Sequence, residues 1–120
     1  MDIDDNVRQY ILTMLWAEDD DSDESGDNPL DASFGPDDLS PESLARCEAD
    51  CREFARRAGD MLREHPDPTM WGHDFWLTRK GHGAGFWDGD WPINGDALTA
   101  LAKEFGEVWP TVGDDGQVWL

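Results

Sequence analysis

Apolar residues recur at helical spacing at the start of the chain. Ile3, Val7, Tyr10, Ile11, Met14 and Leu15 fall together on a helix over residues 2–17, with a burial face of Ile3–Val7–Ile11–Met14 and with Leu15 and Trp16 at its edge. Asp2, Asp4 and Asp5 suit the positive end of that helix's dipole. The period then stops. Residues 18–39, EDDDSDESGDNPLDASFGPDDL, mix Gly, Pro, Ser and Asp and form an acidic connector that repels itself. Only Leu30, Phe34 and Leu39 can pin it to a body. A second helix over residues 40–64 has Ser40 as cap, Pro41 in its first turn and an apolar stripe. The stripe runs Leu44, Cys47, Cys51, Phe54, Ala55, Ala58, Met61 and Leu62, and Glu48–Arg52 is a favourable pair on the outer face.

From His73 the pattern reads as period two. His73, Phe75 and Leu77 alternate with Asp74, Trp76 and Thr78, in a stretch rich in aromatic residues. Gly81 and Gly83 make Arg79–Gly83 a turn, and Ala84–Asp88 the returning strand. Asn94 or Asp96 caps a short third helix, with Leu98, Leu101, Ala102 and Phe105 inward and Gly106 closing it. Glu107–Val112 and Gln117–Leu120 read as a second hairpin about the turn Gly113–Gly116, with Pro110 marking an edge or bulge. The order α-α-ββ-α-ββ predicts a single α+β domain over residues 1–120: an antiparallel sheet of two hairpins with three helices.

The run DFWLTRKGHGAGFWD, followed by GDALTALAKEFGEV and VGDDGQV, resembles a family of small proteins common in tailed phages and prophages. The resemblance covers residues 71–119. It implies a mobile-element origin and no catalytic activity.

Charge changes the picture most. The chain carries 28 acidic and 9 basic side chains, a formal charge of -19. Phosphate contacts need Lys and Arg, so nucleic acid as a direct ligand is disfavoured, and anionic membrane with it. The excess is uneven. Residues 1–35 hold 11 acids and one base, whereas the second helix interleaves its signs. A lopsided molecule follows, negative around the first helix's start and the connector, with at least one tryptophan exposed at the border. The seven tryptophans either close a buried cluster over the sheet or form an aromatic patch that anchors a partner.

The chemistry on offer is thin. Cys47 and Cys51, one helical turn apart, cannot form a disulfide across an intact turn and read as reduced core residues of a cytoplasmic protein; a metal pair is the alternative. No signal peptide or membrane-spanning run is present. His73, Asp74, His82 and Asp88 could converge as a zinc or acid–base site, but no motif fixes their partners. Asp21–Gly26 opens like a calcium loop, and then Pro29 and Ala32 stand where ligands belong. No cofactor is expected. The chain therefore reads as a binding protein and not as an enzyme: an acidic imitation of phosphate that blocks the nucleic-acid groove of a host defence complex, of the anti-CRISPR or anti-restriction kind. Its partner is a basic nucleic-acid-binding protein in a bacterial or archaeal cytoplasm. The residues that would meet it are Asp19, Asp20, Asp21, Asp23, Glu24 and Asp27, then Asp37 and Asp38, with Trp76 and Trp87 as dry contacts. The alternatives are a phage accessory or structural protein, and a small metal protein or enzyme using His73 and His82.

Overall fold

The computed structural model describes residues 3–18, 30, 34–81, 85–86, 91–108 and 110–120. Helix α1 spans Ile3–Ala17, α2 Pro41–Ala58, α3 Trp71–Lys80 and α4 Gly95–Lys103. Short 3-10 turns at Pro36–Asp38 and Gly59–Arg63 precede and follow α2. Two short strands, β1 at Thr111–Val112 and β2 at Val118–Trp119, pair antiparallel with Thr111 opposite Trp119. The molecule is therefore mainly helical, and the expected α+β fold with two hairpins and three helices is overturned.

Most of the difference lies in one element. Trp71–Lys80 is not half of a hairpin but the central helix of the fold. Trp71, Gly72 and every residue from Asp74 to Arg79 are buried, so the helix has no polar face to print a period of 3.6 on the sequence. In such a segment an alternation of polar and apolar residues carries no information about strand pairing. The end signals were those of a helix: Arg79 and Lys80 in the last turn, and Gly81 left-handed at φ 70° receiving the chain. The returning strand expected at Ala84–Asp88 lies largely outside the described residues, and Phe86 within it packs its ring into the core.

The other elements follow their sequences closely. Ser40 caps α2 by accepting from the Ser43 amide at 3.1 Å, and Pro41 occupies the first turn. Cys47, Cys51, Phe54, Ala55, Ala58 and Leu62 are buried as the stripe requires, and both thiols are free. Leu44 departs from it and stands open to solvent. Arg52 turns to Asp4 of α1, at 3.7 Å. The C-terminal hairpin turns at Gly113–Gly116 as read, but its strands are two residues long.

Helices α1 and α3 form the closest pair. Asn6, fully buried in α1, accepts from the Gly72 amide at 2.9 Å and donates to the Pro68 carbonyl at 2.7 Å. This links the start of α3 to α1 and satisfies an amide at a helix end that lacks a side-chain cap. The backbones approach so closely that a Cβ at position 72 would overlap the Asn6 carbonyl oxygen. Around this contact the aromatic core assembles: Phe54 stacks on Phe75 at 4.1 Å and on Phe86 at 5.6 Å, and Tyr10 meets Trp76 edge-on at 5.3 Å.

Gly72→Ala is expected to destabilise the fold by about 1–3 kcal/mol through overpacking against backbone, read as a lower urea midpoint. Alkali should do the same by a different route. Burial pushes the Cys47 thiol up from 9.0 to about 12 and raises Cys51 and Tyr10 as well. Above pH 9 the unfolded chain releases these protons while the folded chain holds them, so stability must fall as pH rises from about 9 towards 12. Cys47→Ala should make that fall shallower in a pH series of urea midpoints.

Candidate functional site

The acidic connector is fastened at both ends. Glu18 follows α1 directly, and its carbonyl accepts from the Leu30 amide at 2.9 Å. Leu30 is buried in the core, and the Phe34 amide donates back to its carbonyl at 2.9 Å. Leu30 is thus held beside Glu18. Beyond Phe34, the 3-10 turn is braced by Asp38, which accepts from the Gly35 amide at 2.8 Å. Leu39 is buried and bridges to Val118, while the Ser40 amide donates to the Val118 carbonyl at 2.9 Å. All three apolar residues of the connector therefore meet the body, as their positions suggested.

In the last turn of α1 stands Trp16, 61% exposed. Helical geometry puts position 16 about 180° round from position 7, the middle of the buried face. That arithmetic was available from the sequence, and it marks Trp16 as the outward indole that the reading placed only at the face's edge. Its ring lies 6.5 Å from that of His73, tilted by 33°. His73 is half-buried on α3 and is tied to α1 through Thr13. The Thr13 hydroxyl lies 2.7 Å from the Gln9 carbonyl and 2.8 Å from His73 Nδ1, so it hydrogen-bonds within its own helix and across to α3. His73 is a structural histidine that supports an exposed tryptophan.

Electrostatics around this face follow from where the cations go. Among the described residues, seven basic side chains lie within 4.0 Å of a carboxylate, and together they use six carboxylates. Two are drawn into the interior. Arg79 is held beneath α4, and Lys80 donates to the Val108 carbonyl at 3.0 Å with Glu18 at 3.4 Å. Arg46, Arg52, Arg56 and Arg57 interleave with Glu42, Glu48 and Glu53 on the exposed side of α2. That helix presents a nearly balanced surface, and the chain's negative excess lies elsewhere.

Of the residues expected to meet a partner, Asp37 is exposed and Asp38 half-buried. Asp19, Asp20, Asp21, Asp23, Glu24, Asp27 and Trp87 lie outside the described residues, as does His82. Trp76 is corrected: at 0% exposure it is a core residue and offers no surface to a partner. Trp71 and Trp91 are also buried, the latter donating from Nε1 to the buried Asp74 carboxylate at 2.7 Å. Asp74 is thereby engaged in the core instead of forming a site with His73. Among the described residues no group of three or more His, Cys, Asp or Glu could hold a metal ion, and no helix is long and apolar enough to cross a membrane. No family model, curated protein or solved structure matches the chain.

Trp16→Ala should change folding stability by no more than about 0.5 kcal/mol, because the side chain is mostly in solvent. His73→Ala should cost about 1 kcal/mol by removing the hydrogen bond to Thr13. Urea titrations of the two variants separate these roles: a large loss for Trp16→Ala would make that indole structural and remove it from the surface.

Proposed function

We propose that the protein is a non-enzymatic binding protein of phage type that occupies a basic nucleic-acid-binding groove of a host defence complex, in the manner of an anti-CRISPR or anti-restriction DNA mimic. The observation that carries this reading is the segregation of charge. Residues 1–35 carry -10 of the net charge of -19, while α2 balances its own signs and two cations are spent in the interior. General solvation or salt adaptation would place carboxylates evenly over exposed faces. Concentrated carboxylates instead steer encounter with a basic partner, at a rate that falls with ionic strength.

Trp16 supports the same reading. Charge attracts but holds weakly in water, and an aromatic side chain desolvated at an interface centre supplies the attachment. Trp16 is exposed and stands two residues before the acidic connector in the sequence. The partner is then a host protein with a Lys- and Arg-rich groove, and the mechanism is competition with DNA or RNA for that groove.

Replacing Asp19, Asp20, Asp21 and Asp23 together with Asn and Ser should leave the urea midpoint unchanged or raised, since like-charge repulsion is relieved. Capture of nucleic-acid-binding proteins from host lysate should drop at low salt, and should vanish for both forms at high salt. Equal capture by the two forms at low salt would remove the connector from the interface.

A further inference from the structure

Helices α1 and α2 leave a groove of about 340 Å³ between them. Val7 and Ile11 form its floor and Leu44 one wall. Leu44 belongs by spacing to the apolar stripe of α2, yet it is 38% exposed while Cys47 and Cys51, farther along the stripe, are fully covered. An aliphatic side chain thus stands at the mouth of a cleft with an aliphatic floor. The rim is charged: Asp4, Asp37 and Glu48 against a single cation, Arg8. Arg52 lies 3.7 Å from Asp4, so Asp37 and Glu48 dominate the rim's field.

We infer that this groove seats a cationic amphipathic segment of a partner protein. One aliphatic side chain of that segment enters between Val7, Ile11 and Leu44, and Lys or Arg beside it reaches Asp37 and Glu48. Charge decides among occupants. A second copy would bring another -19 and set the same carboxylates against each other. A nucleic acid would set phosphates against them. A basic segment with an apolar side chain matches both the floor and the rim, in the manner of an amphipathic helix lying in a groove. The inference rests on the reading of the protein as a binder of basic partners, but uses residues apart from 19–27.

The test is an NMR titration of the ¹⁵N-labelled full chain with a synthetic helical peptide of Leu and Lys, and with octalysine as the charge-only control. The Leu/Lys peptide should give saturable shifts centred on Val7, Ile11 and Leu44. Leu44→Gln keeps a good helix former at an exposed position. It should weaken that peptide by about tenfold or more, as expected for one uncovered leucine, and leave octalysine unaffected. Asp37→Asn with Glu48→Gln should weaken both. Equal binding of the two peptides, or no effect of Leu44→Gln, would overturn the inference in favour of diffuse charge attraction. Concentration-dependent shifts at the same residues without peptide would overturn it in favour of self-association. Neither result depends on the carboxylates of residues 19–27, so a failure of the groove is distinguishable from a failure of the proposed function.

Discussion

The buried guanidinium of Arg79 is the interaction on which the arrangement of all four helices depends. Its side chain is 1% exposed, and four of its five N–H groups have partners. Nη1 donates to the Tyr10 hydroxyl of α1 at 3.0 Å and to Asp50 of α2 at 2.7 Å. Nε and Nη2 donate to the Gly106 and Phe105 carbonyls that follow α4, at 2.8 and 2.9 Å. Desolvating a cation costs several kcal/mol, and this set of four hydrogen bonds with the Asp50 carboxylate offsets it. The Phe75 and Phe105 rings, 5.6 and 5.7 Å from the guanidinium carbon, add their electron-rich faces. A lysine could not replace this fork, because one point charge cannot address two helices and a chain end at once.

That centre constrains what surrounds it. With α3 covered on every side, α1 must approach closely, and the missing Cβ of Gly72 permits the approach. The chain before α4 needs its own fastening, which Glu64 provides by accepting from the Ile93 and Asn94 amides at 2.6 and 2.8 Å. A carboxylate near a helix start also complements the dipole there. Several of the acids are therefore structural: Asp50, Asp74 and Glu64 hold interior or capping positions and are not part of the surface excess.

The same economy shapes the exterior. A chain with few cations that commits Arg79 and Lys80 to the interior has little positive charge left to mask its carboxylates. Self-repulsion is offset by the buried aromatic core, and the connector is tied down at Glu18, Leu30 and Leu39. Trp16 at the connector's root and the Leu44 groove lie on either side of α1, so one helix joins two surfaces suited to basic partners.

The sequence by itself determined α1, α2 and α4 and the final turn, because each is amphipathic or capped and writes its burial on the local pattern. Ser40–Pro41, the stripe from Cys47 to Leu62 and the Gly113–Gly116 turn are local physics. It also determined the charge and its concentration in the first third, which is arithmetic. Only the tertiary structure decided α3, since a helix buried all round has no polar face, and the alternation at His73–Thr78 was equally compatible with a strand. Tertiary packing likewise decided the burial of the later tryptophans. Trp76 and Trp91 are covered by elements distant in the chain, and Leu44 is left open although its spacing assigns it to the core. Burial of these residues depends on neighbours that arrive from elsewhere in the sequence, and no local period records them.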